Sequence, residues 1–140
     1  MKIKIYTDGG ARNNPGPGAI GVLLCDENDR EVIRHKDYIG EATNNIAEYC
    51  ALIAGLALAV EYKPSDLSCF LDSELVVNQL NGIYKVKNER MKVLYQEVKK
   101  QSRLFSHISY SYIPRNHPKM KIADRLVNEA LDEAQKGNGS

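Results

Sequence analysis

The sequence has no tryptophan, only three cysteines among 140 residues, and no run of apolar residues long enough to cross a bilayer. Cys25, Cys50 and Cys69 are 25 and 19 residues apart. That spacing excludes a CxxC redox pair and a zinc finger, and an odd count does not suit a disulfide framework. The three read as buried, reduced thiols. Met1-Lys2-Ile3-Lys4-Ile5 alternates charge with bulk and lacks the apolar stretch of a secretory signal. A cytoplasmic, monomeric protein with no membrane contact is expected. There is also little net charge, +1 in all, so the bulk balance says nothing of partners. Its distribution does. From Tyr84 to Arg103 seven basic residues (Lys85, Lys87, Arg90, Lys92, Lys99, Lys100, Arg103) face two acids, Glu89 and Glu97, so this stretch carries +5 and leaves −4 elsewhere. Such a segment suits a polyanion, and suits equally a solvated helix face with Glu–Lys pairs.

Repeats, linkers and low-complexity stretches are absent, and the length fits one core. One domain over residues 1–136 is expected, with 137–140 as a flexible tail. The compact start at Met1 leans toward a free-standing protein. Lys2–Thr7 alternates as a strand, with Ile3 and Ile5 on one face. Asp8-Gly9-Gly10 ends it, and residues 11–18 read as a loop rich in Asn, Pro and Gly. Ala19–Cys25 and Glu31–Ile39 read as an antiparallel pair across a short turn. Asn45–Tyr62, made mostly of Ala, Leu, Ile and Val, predicts a helix buried on most sides. Leu67–Leu71 is a fourth strand and Ser73–Asn81 a short helix. Asn88–Arg103 is an amphipathic helix, His107–Ile113 a fifth strand, 114–121 a loop and Ile122–Gln135 the last helix. A strand–helix–strand crossover returns parallel, which sets the fourth strand beside the first in an α/β mixed sheet flanked by helices.

Four acids stand out in that frame. Asp8 and Asp72 end two parallel neighbours, so both emerge at the carboxyl edge where such sheets bind ligands. Glu48 sits near the start of the apolar helix, and Asp124 opens the last one. Each has a plain alternative: an Asp-Gly turn for Asp8, a capping box with Asn45 for Glu48, a helix cap for Asp72, a helix dipole for Asp124. Taken together they would repel one another unless a cation lay between them. Hard oxygen ligands without a His/Cys cluster point to Mg²⁺, with Mn²⁺ as substitute.

Thr7-Asp8-Gly9-Gly10 with Asn14-Pro15-Gly16-Pro17-Gly18, Thr43-Asn44-Asn45-Ile46-Ala47-Glu48, Leu71-Asp72-Ser73 and Ile122-Ala123-Asp124-Arg125-Leu126 resemble, in order and spacing, the four motifs of type 1 ribonuclease H. The resemblance spans nearly the whole chain. It implies the ribonuclease H-like fold with a five-stranded sheet in order 3-2-1-4-5. It also implies an endonuclease that hydrolyses the RNA strand of an RNA–DNA hybrid by a two-metal-ion mechanism, leaving 5′-phosphate and 3′-hydroxyl ends. Asp8, Glu48, Asp72 and Asp124 would hold two Mg²⁺ ions with the substrate. Gly9, Gly10 and Glu48 would read the 2′-hydroxyl, and Asn14, Thr43, Asn44, Asn45 and Ser73 would contact the duplex. Family members carry His or Arg on the loop before the final Asp; since histidine as a residue type can give and take a proton and arginine cannot, His117 takes the proton role and Arg115 a phosphate contact. Two departures stand out. Residues 81–88 run almost directly into the next helix, without the family's basic protrusion, leaving Tyr84, Lys85 and Lys87 as partial substitutes. Glu74 replaces a customary Gln. Rival readings are another nuclease of the same fold, a non-catalytic nucleic-acid-binding module, and a domain tethered to a polymerase.

Overall fold

A computed structural model describes the backbone of residues 1–139 and the side chains of residues 1–137. Strand β1 (Lys2–Ala11) outruns its alternating segment because β2 (Gly16–Asp26) pairs with it to the end, through Gly9↔Ile20, Gly10↔Ala19 and Ala11↔Gly18. Cross-strand pairing overrides the weak strand preference of glycine, so the expected loop over 11–18 shrinks to residues 12–15. β3 (Glu31–Ala42) adds antiparallel to β2. There follow α1 (Asn44–Val60), β4 (Asp66–Leu71), α2 (Glu74–Leu80), α3 (Glu89–Ser102), β5 (Ile108–Tyr112) and α4 (Pro118–Gly139). The sheet order is β3-β2-β1-β4-β5, with β4 parallel to both β1 and β5. Fold class and strand order are those expected.

Helices cover both faces. On one, Ile3, Ile5, Leu24, Leu67 and Leu71 of the sheet pack with Leu52 and Leu56 of α1 and Met91 and Val98 of α3. Each fully buried leucine here stabilises the fold by roughly 1.5–3 kcal/mol. Gly55 lets α1 settle onto Ile5, Thr7 and Val22. On the other face Ala19 packs with Val127, Ala130 and Leu131 of α4. A side chain at Gly21 would strike the Ala123 carbonyl and Leu126.

Helix boundaries depart from expectation where caps decide them. α1 starts at Asn44 because Thr43 is its cap, its hydroxyl accepting from the Ile46 N–H at 3.1 Å. The Asn45–Glu48 capping box is therefore not formed. Ser73, not Asp72, caps α2. α4 starts four residues early: Pro118 takes the first helical position, where it has no N–H to lose, and His117 Nδ1 accepts from the Lys119 N–H at 3.1 Å. α4 also runs past Gln135 through Gly139, so of the expected tail only Ser140 lies outside the described residues. Cys25 and Cys69 are buried, whereas Cys50 is only half-buried; all three are free. No described helix is long and apolar enough to cross a membrane.

Candidate active site

The β1–β4 ladder ends at Thr7↔Leu71. The next residue on each strand is an aspartate, so Asp8 and Asp72 stand side by side where the strands part. α1 brings the third acid. Gly9 lies against the Ala47 carbonyl and the Glu48 nitrogen so closely that no side chain would fit. The Gly9 N–H donates to Glu48 Oε1 at 3.1 Å. One oxygen from each of Asp8, Glu48 and Asp72 lies within 4.8 Å of the others. Asp8 and Glu48 are 2% and 5% exposed.

Burying acids together disfavours their charged forms. Burial pushes the Asp8 carboxyl up to about 7; a hydrogen bond shared with Glu48 opposes the shift and the Asp72 charge adds to it. Glu48 is pushed well above the usual carboxylate range, first by burial and then by Asp8. Asp8 Oδ1 and Glu48 Oε2 are buried and have no hydrogen-bond partner among the described residues. Hard oxygens, buried, aimed together and short of partners fit a divalent cation. Arg115 supplies one positive charge: its Nε donates to Asp72 Oδ2 at 3.0 Å.

Asp124, half-buried on α4, stands outside the close trio, although its charge acts on Asp8 and Arg115. A cleft of about 300 Å³ opens beside Asp8, walled by Gly10, Arg12, Asn44, Arg115 and Asn128. A methyl group at Gly10 would fit, in ordinary contact with Val127 and Asn44. Asn14 Oδ1 accepts from the Asn44 N–H at 2.9 Å, and Asn44 Oδ1 accepts from the Ala11 N–H at 2.8 Å. Thr43 and Ser73 spend their hydroxyls as caps, and Asn45 is half-buried. Tyr84 and Lys85 line a second groove, of about 440 Å³, with Gln79, Lys92 and Tyr95; Lys87 is exposed nearby in sequence.

His117 lies against Tyr6 and the start of α4. Its ring stacks on Tyr6, 5.8 Å between centroids, and its Nδ1 is taken by the α4 cap. The position after β5 that faces the acids belongs to Arg115. Lys99 also departs from expectation: its ammonium turns inward to the Leu80 carbonyl at 2.7 Å and lies over the Tyr95 and Tyr110 rings. Sequence reasoning passed over Arg12 and Asn128, although Asp124, Asn128, Asp132 and Gln135 form a polar stripe at helical spacing.

Residues 6–130 match the family described as reverse transcriptase-like. A bifunctional protein of Mycobacterium tuberculosis is 41% identical over 135 residues, which are 96% of this chain and 36% of that protein. The chain thus spans about a third of the length of the mycobacterial proteins it matches. The N-terminal RNase H domain of that protein superposes with a TM-score of 0.92 at 38% identity, over 99% of both chains. A compost-derived RNase H1 solved in complex with an RNA/DNA hybrid gives 0.90 at 40% identity, over 95% of this chain and 99% of that one. A ribonuclease H of Erythrobacter litoralis is 31% identical over 147 residues, 94% of this chain and 96% of that protein. With that near-complete coverage, the matching fold, and the acids set where β1 and β4 part, the chain belongs to the ribonuclease H family.

Proposed function

We propose that this chain is an endonuclease that hydrolyses the RNA strand of RNA–DNA hybrids, with Asp8, Glu48, Asp72 and Asp124 holding divalent ions, Mg²⁺ or in its place Mn²⁺. The observation that carries this reading is the buried trio of carboxylates, two of whose oxygens have no donor. Ions bound there would supply Lewis-acid stabilisation of phosphate charge and a more acidic attacking water. The remaining work falls to the chain itself. Arg115 offsets the Asp72 charge before the ions arrive and stands ready for a phosphate oxygen. Because the Gly9 N–H is already given to Glu48, backbone contact with the RNA falls to Gly10, which has room beside it. A 2′-hydroxyl donates as well as accepts, and Glu48, held in place by the Gly9 N–H, is the carboxylate assigned to meet it. Asn14, Thr43, Asn44, Asn45 and Ser73, around the α1 and α2 starts, suit the duplex rim. Tyr84, Lys85 and Lys87 offer a stacking ring and two cations in place of the missing protrusion. The compost enzyme bound to a hybrid supports the choice of substrate. Three free thiols suit the reducing cytoplasm.

Labelled RNA–DNA, RNA–RNA and DNA–DNA duplexes, each with Mg²⁺, Mn²⁺ or EDTA, test the reading. Cleavage of the RNA strand of the hybrid, abolished by EDTA, is expected. Hybrid cleavage that survives EDTA, or none with either metal, overturns it.

A further inference from the structure

We propose that Arg12 is a positioning residue of the acidic site: from the β1–β2 turn it grips α4 and so sets where Asp124 stands relative to Asp8, Glu48 and Asp72. The proposal rests on the reading of those four acids as metal ligands.

Among the described residues the Arg12 guanidinium donates to three side chains, all on α4. Nη1 donates to Gln135 Oε1 at 2.8 Å, and Nη2 to Asp132 Oδ1 at 2.7 Å and Asn128 Oδ1 at 3.4 Å. Asn128 Nδ2 in turn donates to the Asp124 carbonyl at 3.0 Å. Asp124, Asn128, Asp132 and Gln135 share one helix face, since three- and four-residue steps bring side chains over one another. Arg12 therefore holds the stripe whose other end carries the fourth acid.

The opposite end of the grip is fixed as well. The Arg12 N–H donates to the Pro17 carbonyl at 2.9 Å and closes the turn. Gly16 lies so close to the Arg12 carbonyl that no side chain fits there. The residue before Arg12 is pinned to α1 through the Ala11 N–H and Asn44 Oδ1. The Ala11–Arg12 step thus joins the three elements that carry Asp8, Glu48 and Asp124. α4 also rests on the sheet through Ala, Val and Leu contacts, which are non-directional, and through Lys36 of β3, whose ammonium pairs with Glu133 at 2.7 Å and Glu129 at 3.8 Å. The Lys36 ammonium is a point charge on Glu129 and Glu133, whereas the Arg12 fork is planar and directional and meets the stripe of α4 that carries Asp124.

Magnitudes separate this role from simple support. The Arg12 and Asp132 side chains are 32% and 61% exposed, and such pairs add little to global stability. The effect belongs at the acids. Outer partners of metal ligands typically govern affinity or activity by about 10–100-fold.

The test starts with thermal-shift titrations of the wild-type protein with Mn²⁺ and Mg²⁺. A Tm that ignores both metals overturns the metal reading, and with it this proposal. Given a wild-type response, Arg12→Ala is expected to fold, to raise the half-saturating metal concentration by roughly 10-fold, and to lower kcat on the hybrid with KM nearly unchanged. Arg12→Lys, which keeps charge without the fork, should fall between. Asp132→Ala, altered on the outer face of α4, should move metal response in the same direction. The double variant should be no worse than Arg12→Ala, because both act through one contact. An unchanged metal response in folded Arg12→Ala overturns the proposal alone. So does a raised KM in Arg12→Ala together with tighter hybrid binding in Asp132→Ala, which would make Arg12 a phosphate contact held back by Asp132. If Arg12→Ala does not fold, Asp132→Ala and Arg12→Lys decide by the same readouts.

Discussion

At the residue scale, the carboxyls that burial holds toward their neutral forms set the pH behaviour of the metal-free protein. Asp8 rises from an ordinary 3.8 to about 7 on folding, so the folded chain holds the proton more tightly than the unfolded one. Its contribution to stability is complete below about pH 4 and is lost as the pH climbs through about 7. Asp8→Asn imitates the neutral form at every pH. In EDTA the variant should match the wild type at pH 4 and exceed it increasingly toward pH 8, with a ceiling on the order of 4 kcal/mol, while cleavage is lost. Thermal unfolding across that range checks it; a variant less stable than wild type at pH 8 would mean that the paired carboxyls do not burden the fold. His117 and Arg115 divide in a similar way. The ring of His117 is engaged with Tyr6 and the α4 cap, so His117→Ala should cost about 0.5–2 kcal/mol of stability, as cap losses do, and leave kcat close to wild type. Arg115→Ala removes the cation hydrogen-bonded to Asp72 and should lower kcat/KM by roughly 10-fold or more. Steady-state kinetics and melting curves on the two variants separate these roles, and a collapse of kcat in folded His117→Ala would restore the proton role to the histidine.

At the scale of elements, the site depends on how closely β1 and α1 approach. Gly9 touches the backbone of Ala47 and Glu48, whereas Gly10 has space beside it. Gly9→Ala must push the strand and helix apart and release Glu48, so it should cost about 1–3 kcal/mol and lose cleavage as well. Gly10→Ala should fold normally and raise KM, because its methyl group enters the cleft. Equal melting temperatures for the two would mean that β1 and α1 have slack at Gly9. These contacts also mark how far the sequence could be read. Alternation in Lys2–Thr7 and the apolar run of α1 were legible because each element's period matches its burial. Asp8 and Asp72 could be placed together because a parallel crossover fixes which strand ends coincide. The reach of β1 to Ala11 was not legible: glycines signal a stop locally, and only the β2 ladder reverses that. The early start of α4 was hidden in the same way, since a proline reads as loop until the cap before it is known. The contacts of His117 were not legible because they depend on Tyr6, more than a hundred residues earlier. The Arg12 grip was out of reach for the same reason, its partners lying 116–123 residues away.

At the scale of the whole molecule, the net charge of +1 conceals a division: the Tyr84–Arg103 stretch carries +5 and the rest −4. A body of negative sign around an acidic site repels a nucleic acid, so under the proposed function the basic stretch is where the duplex is expected to be held. The structure shows that this stretch is not uniform. Lys85 and Lys87 are exposed on the segment before α3, whereas Lys99 is half-buried and spent on the Leu80 carbonyl and two tyrosine rings. Only a cation that displaces counterions from phosphates contributes to salt dependence, by about 0.9 in the slope of log K against log salt for each contact. Lys85→Ala/Lys87→Ala should therefore raise KM, leave kcat nearly unchanged and flatten the salt slope by at most about 2. Lys99→Ala removes the same formal charge from the same stretch, yet it should leave the slope alone and lower Tm, because α2 loses the cation on its last carbonyl and the tyrosines lose theirs. Binding titrations from low to moderate salt on the two variants compare outward and inward cations directly. If Lys99→Ala flattens the slope as much as the outer pair does, Lys99 swings out to the duplex when substrate binds, and the inward contacts belong to the free protein alone.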